Sequence, residues 1–153
     1  MKITLRPWDN SDLNNLVLYA NNPNIAKFLT DSFPYPYTIE NGKTFIEMAN
    51  KNNPTTIFAI VLEKKAIGSI GIFVKEDVMR KNAELGYWLA EPFWGNGITL
   101  KAITDMVEYT FEKFDITRIY ARPFGNNTAS QKVLEKAGFK LEARFEKTIF
   151  KNR

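Results

Sequence analysis

A glycine pair ahead of a helix, a carboxylate inside a strand and a hydroxyl near the start of a second helix are the groups in this sequence equipped for chemistry. The first lies in Trp94-Gly95-Asn96-Gly97-Ile98-Thr99. The first turn of a helix has unpaired N–H groups and the positive end of the helix dipole, so this stretch suits an anion such as a phosphate. Gly95 and Gly97 have no Cβ to keep that anion away, and no acidic residue occurs from Phe93 through Ile103. No Gly-Lys-Ser/Thr follows and no third glycine arrives in register, so the segment is neither a P-loop nor a dinucleotide fingerprint. Ordinary turn glycines are the plainer account of the same residues.

The second group is Glu84 in Ala83-Glu84-Leu85-Gly86-Tyr87-Trp88-Leu89. Alternation puts Glu84, Gly86 and Trp88 on one face of a strand and Ala83, Leu85, Tyr87 and Leu89 on the other. Burial beside an aromatic raises a carboxyl pKa, which is what a general base requires. Gly86 suggests a bulge or a close backbone approach. A solvated face or a cross-strand ion pair explains Glu84 as well. The third group is Asn127 to Phe139, where Ser130 shares a helix face with Val133, Leu134 and Ala137 and so turns its hydroxyl toward the sheet. Asn127 as a helix cap and Ser130 as a first-turn partner is the structural alternative.

What is missing narrows the chemistry. The 153 residues contain no cysteine and no histidine. That removes disulfides, thiolate nucleophiles, Ser-His-Asp triads and the usual zinc sets, so no metal site is expected. The apolar fraction of 44% and charged fraction of 25% fit one globular domain. No apolar run nears the roughly 20 residues of a membrane span, and no signal-like segment opens the chain. A cytoplasmic protein with no membrane partner is expected. A net charge of +4 suits an anionic ligand but not nucleic acid, which calls for a dense basic stripe.

These groups need elements to hold them. A strand is expected at Ile3–Arg6, then a helix from near Ser11 with Leu13, Leu16, Val17 and Ala20 inward. A short helix near Ile25–Leu29 and an Asn- and Pro-rich loop follow. Thr38 is expected to cap a helix using Ile39, Phe45, Ile46 and Ala49. Strands at Thr55–Leu62, Ile67–Val74 and Asn82–Leu89 make an antiparallel meander, with a hairpin at Glu63–Ala66. The helix after the glycine turn buries Ala102, Ile103, Met106, Val107, Thr110 and Phe111. A strand at Arg118–Arg122, a helix at Thr128–Ala137 stopped by Gly138, and a last strand from Phe139 complete the order. The fold class is α/β (α+β): a mixed sheet with helices packed on it, in one domain over residues 1–153.

In this order the pieces resemble the GNAT superfamily of acetyl-CoA-dependent N-acyltransferases, in its RimJ/RimL-like branch. The likeness rests on Ile3-Thr4-Leu5-Arg6-Pro7-Trp8, Glu84-Leu85-Gly86-Tyr87-Trp88-Leu89, Trp94-Gly95-Asn96-Gly97-Ile98-Thr99 and Asn127 to Phe139, and it covers essentially the whole chain. It implies a mostly antiparallel sheet with helices on both faces and a splayed central strand pair. Pantetheine is then expected along Trp88 and Leu89, the pyrophosphate on Trp94 and the amides of Gly95, Asn96, Gly97, Ile98 and Thr99, and the thioester end near Asn127 and Ser130. Three positions depart from the superfamily pattern: Trp94 stands in the first slot of the turn, usually glutamine or arginine, as is common in the RimJ/RimL-like branch; Thr99 closes the turn in place of glycine or alanine; and Leu134 stands in the slot of a tyrosine general acid, which leaves that role to Ser130. Relatives run past Phe150 into a closing strand, so the final hairpin is expected to be cut short.

The expected activity is direct transfer from acetyl-CoA, as cosubstrate, to an amine, with Glu84 as base and Ser130 serving the departing thiolate. Acceptors considered are a peptide N-terminus, a polyamine or an antibiotic, beside an aromatic wall from Phe33, Tyr35 and Tyr37. A monomer or homodimer is expected. The rival from another class is a non-catalytic acyl-CoA-binding module on the same fold.

Overall fold

The computed structural model describes residues 2–151. Five strands form one sheet in sequence order: β1 (Ile3–Pro7), β2 (Ile57–Leu62), β3 (Lys65–Val74), β4 (Asn82–Leu89) and β5 (Arg118–Tyr120). The first four are antiparallel. β5 joins β4 in parallel over three residue pairs, Asn82 with Arg118, Ala83 with Ile119 and Glu84 with Tyr120. The β2–β3 hairpin turns on Glu63 and Lys64, both with positive φ (49° and 69°). That is the backbone of a primed two-residue turn, here made without the usual Asn-Gly.

Helices cover both faces, as the mixed-sheet expectation requires. α1 (Leu13–Ala20) and α3 (Ile39–Ala49) lie on one side, α4 (Ile98–Lys113) and α5 (Thr128–Lys136) on the other, and α2 (Pro23–Ala26) is a single turn. Strand alternation sorts the core accordingly. Ile60, Ile70, Ile72, Ala83, Leu85 and Leu89 pack with Ala102, Ile103, Met106 and Leu134. Trp8, Ala59, Val61 and Trp88 pack with Leu16, Ala20, Ile46 and Ala49. Thr38 starts α3 through a capping box: the Asn41 N–H donates to Thr38 Oγ1 at 3.1 Å, and the Thr38 N–H donates to Asn41 Oδ1 at 2.8 Å.

Several expectations change. Ile39 is exposed, because it is the first residue of α3 and lies ahead of the buried Gly42, Ile46 and Ala49. Phe111 is exposed as well: the buried stripe of α4 runs Ile98, Ala102, Ile103, Met106, Thr110, and Phe111 stands 100° round from its end. Gly86 marks no bulge, since the β3–β4 register is continuous and a Cβ there would meet only the Phe73 ring, at 3.5 Å. The segment after Gly138 is not a strand among the described residues. β5 is only three residues long and offers little edge to pair with. Leu141, Phe145, Ile149 and Phe150 remain exposed, and ion pairs of Arg118 with Glu142 and Lys151 with Asp31 hold the segment in place.

Candidate active site

The site begins as a gap in the sheet. The Lys75 N–H donates to the Asn82 carbonyl at 3.0 Å, and the Ala90 N–H donates to the Ile67 carbonyl at 2.8 Å. With the register unbroken between them, even-numbered peptide groups of β4 face β3 and odd-numbered ones face β5. Pairing with β5 ends at Glu84 and Tyr120. Beyond it the N–H and C=O of Tyr87 and the N–H of Leu89 face open space, without a backbone partner among the described residues. The Leu89 carbonyl accepts from Trp94 Nε1 at 2.7 Å. The structure therefore corrects the expectation for Trp88: its peptide groups are turned to β3, and the available ones belong to Tyr87 and Leu89.

The gap leads into the glycine turn. Gly95 and Gly97 have φ of 80° and 76°, the left-handed region in which a side chain is strained, and a Cβ at either would meet nothing within 4 Å. The turn thus combines a backbone that demands glycine with empty space in front of it. No side chain caps α4 and no acidic residue sits in its first turn. Its first helical bond is from the Lys101 N–H to the Gly97 carbonyl, at 3.2 Å, so the N–H groups of Ile98, Thr99 and Leu100 point outward unpaired. The Ile98 side chain is buried, leaving its N–H as its contribution. The Asn96 amide donates to the carbonyls of Phe93 (3.2 Å) and Trp94 (3.3 Å) and so braces the turn.

Across the gap from the turn, α5 supplies a hydroxyl. Asn127 caps this helix, its Oδ1 accepting from the Ser130 N–H at 3.2 Å. Ser130 does face the sheet, and its Oγ hydrogen-bonds the Tyr87 phenol. Burial raises the Tyr87 pKa and the bond from Ser130 lowers it, with a net upward shift, so the phenol stays protonated through the neutral range. Tyr87 escaped the sequence reading because alternation put it among core residues. The signal was there, since alternation aims Tyr87 and helix spacing aims Ser130 at the same side of the sheet.

Glu84 sits where the strands part. Arg122 donates to both of its oxygens (2.8 and 2.9 Å), and Lys75 donates to Oε1 at 3.2 Å. Burial raises the carboxyl pKa, but the bonds and charges of Arg122 and Lys75 outweigh it and hold the group below the ordinary carboxylate range. The environment is the reverse of the raised pKa expected of a base. Neither cation was visible to strand alternation, because one lies just past the end of β3 and the other beyond β5.

Residues 2–140 match the family described as the Acetyltransferase (GNAT) domain. The chain belongs to the GNAT acetyltransferase family. It is 28% identical over 147 residues to an uncharacterized N-acetyltransferase, p20, of Bacillus licheniformis, covering 92% of this chain and 80% of that protein. It is 29% identical to the ribosomal-protein-serine acetyltransferase of Escherichia coli over 69% of this chain and 58% of that one, in keeping with the RimJ/RimL-like branch. Among solved structures, the microcin C7 self-immunity acetyltransferase MccE, in complex with acetyl-CoA and AMP, superposes with a TM-score of 0.85 at 27% identity, over 99% of this chain and 86% of that one.

The rest of this GNAT domain's site is aromatic. Trp88 is buried on the α1–α3 face with Phe33 against it at 6.0 Å between centroids. Of the three rings expected to form a wall, Tyr37 is instead a core residue, its phenol pushed up to about 12 by burial. Phe33 is half-buried and Tyr35 is exposed. Among the described residues no metal-ligating cluster is gathered and no helix is long and apolar enough to cross a membrane.

Proposed function

We propose that this domain transfers the acetyl group of acetyl-CoA directly to a primary amine, and that the acceptor is a protein or peptide N-terminal α-amine. The observation that carries the proposal is the unpaired edge of β4 running into an uncapped helix start across two open glycines. Such an edge suits an extended chain with amide groups, and the turn suits a pyrophosphate. Tyr87 and Leu89 would hold the pantetheine arm by their peptide groups, and Gly95 to Leu100 the pyrophosphate. Acetyl-CoA supplies an activated acyl carbon with a thiol as leaving group.

The chain's own groups then handle protons and position. The Leu89 N–H is free to donate to the thioester carbonyl, a single oxyanion-type contact. Ser130 is free to give its proton toward the sulfur and to be resupplied by the Tyr87 phenol. A carbon–nitrogen bond forms and the carbon–sulfur bond breaks; the neutral amine loses one proton to solvent and keeps one as the amide N–H, the sulfur gains one from Ser130, and solvent returns a proton to the Ser130–Tyr87 pair. Glu84, tied to Arg122 and Lys75, is a weak base, and we assign it to holding the two cations at the fork. That assignment favours an acceptor that deprotonates easily. An α-amine, with pKa near 7.7–8, is about half or more neutral at pH 8, whereas a lysine amine at about 10.4 would cost roughly 3–4 kcal/mol more to deprotonate. The relationship to a ribosomal-protein-serine acetyltransferase supports a protein acceptor.

The test is release of free CoA from acetyl-CoA with a panel of N-terminal peptides, N-acetylated peptides carrying an internal lysine, polyamines and aminoglycosides. Turnover restricted to free N-termini is expected. Binding of acetyl-CoA without release against every amine would return the domain to an acyl-CoA-binding module.

A further inference from the structure

We infer that the acceptor amine of this domain is carried on an acidic peptide, one whose residues next to the N-terminus bear carboxylates; this rests on the acetyl-transfer reading above. The observation is a cavity of about 390 Å³ beside the start of α5, within the size range of small-ligand sites. Its lining contains three lysines, Lys27, Lys147 and Lys151, with Phe124, Asn126 and Phe145 among the remaining residues, and no aspartate or glutamate. Asn126 directly precedes Asn127, the cap of α5 whose Oδ1 accepts from the Ser130 N–H, so the cavity borders the helix start that carries Ser130. The loop at Phe124 and Gly125 is pinned by the Gln131 amide, which donates to both carbonyls at 3.1 Å.

The charge is only partly balanced from nearby, Lys27 interacting with Glu91 through space. Lys151 donates to Asp31 at 3.1 Å, but Lys27 and Lys147 form no ion pair among the described residues. Two of the carboxylates around it are engaged, while Glu146, between the lining Phe145 and Lys147, is exposed and is not itself part of the lining. Glu91 accepts from the amides of Asn22 (2.9 Å) and Asn24 (3.1 Å), and Glu84 is shared by Arg122 and Lys75. Arg122, two residues before the lining Phe124, has a largely exposed side chain and N–H donors left over from its bond to Glu84. A polyamine or aminoglycoside would bring further ammonium groups against three lining lysines, with no aspartate or glutamate in the lining to receive them. An acidic peptide brings the complementary charge, and Phe124 and Phe145 offer apolar surface to its backbone and Cβ groups.

Two peptides with one N-terminal residue and either Asp-Asp or Lys-Lys after it would be titrated calorimetrically into CoA-saturated protein, with acetylation rates followed in parallel. The acidic peptide is expected to bind at least about tenfold more tightly, about 1.4 kcal/mol, with the preference shrinking as salt rises. Lys27→Gln with Lys147→Gln should abolish the preference, and the double glutamate variant should reverse it. Equal affinities, tighter binding of the basic peptide, no binding of either, or a preference untouched in the folded variants would each overturn the inference. The readouts separate the two proposals: acidic preference in binding without any CoA release would sink acetyl transfer alone, and CoA release without charge preference would sink this inference alone.

Discussion

Removing the Ser130 hydroxyl separates a structural hydrogen bond from a chemical one, because the structure says what each would lose. In Ser130→Ala the N–H bond to Asn127 stays, so the α5 cap survives, and alanine costs nothing in helix propensity. What is lost is the partner of the largely buried Tyr87 phenol. An unpaired buried hydroxyl costs about 1–3 kcal/mol. Because Ser130 is only half-buried, the lower end applies. About 1 kcal/mol lowers Tm by roughly 2–4 °C in a domain of this size. Tyr87→Phe strands only the Ser130 hydroxyl, and the double variant strands neither, so stability should recover part of the loss in the double variant. The rate should not recover. If the pair delivers a proton to the leaving sulfur, kcat drops about tenfold or more in Ser130→Ala, within the range of general acid catalysis, and stays low in the double variant. Melting curves and steady-state kinetics on the four proteins decide the matter. Wild-type kcat in Ser130→Ala, or a double variant whose stability loss equals the sum of the singles, would refute the coupled-pair reasoning.

Gly97→Val should weaken acetyl-CoA binding at least about tenfold, roughly 1.4 kcal/mol, and also destabilise the turn, since valine is strained at φ of 76°. Gly97→Asn tolerates that backbone better yet still fills the open space, so calorimetry showing undiminished affinity in both variants would remove the phosphate-turn assignment. Glu84→Gln should lower stability near neutral pH by about 1 kcal/mol, the scale of a partly exposed ion pair. The folded pKa is depressed, so this stabilisation is present above the unfolded carboxyl value and is lost as pH falls through the folded one. Denaturation midpoints of the two proteins should therefore converge in acid, and a constant gap would contradict the ion-pair account. In the same variant kcat should fall less than about 10²-fold with its acidic limb retained, whereas loss of that limb would make Glu84 the base.

The sheet and its helices were legible because their signals are local. The first half of β4 alternates in burial, Thr38 stands three residues before an Asn able to reciprocate, and Gly138 takes the positive φ that ends α5. The left-handed glycines ahead of α4 and the sheet-facing direction of the Ser130 hydroxyl were legible for the same reason. Information carried by pairs of distant residues was not. Glu84 looks like a desolvated acid until β3 and the chain beyond β5 bring Lys75 and Arg122 to it. Tyr35 and Tyr37 look alike in sequence, yet one is exposed and the other fills the core between α3 and Trp88. Which peptide groups of β4 face the gap depends on register with β3, and no single-strand pattern contains that register.

The parity of β4 gives the strand two kinds of amide proton. Those of Gly86 and Trp88 are locked into the ladder with β3, while those of Tyr87 and Leu89 open onto the gap. In heavy water the free protein should exchange these protons with a period of two residues, fast at 87 and 89 and slow at 86 and 88, a pattern that a frayed strand would not give. A pantetheine arm lying in the gap would slow the odd pair and leave the even pair unchanged. The sheet therefore carries its own isotopic record of whether the gap is filled.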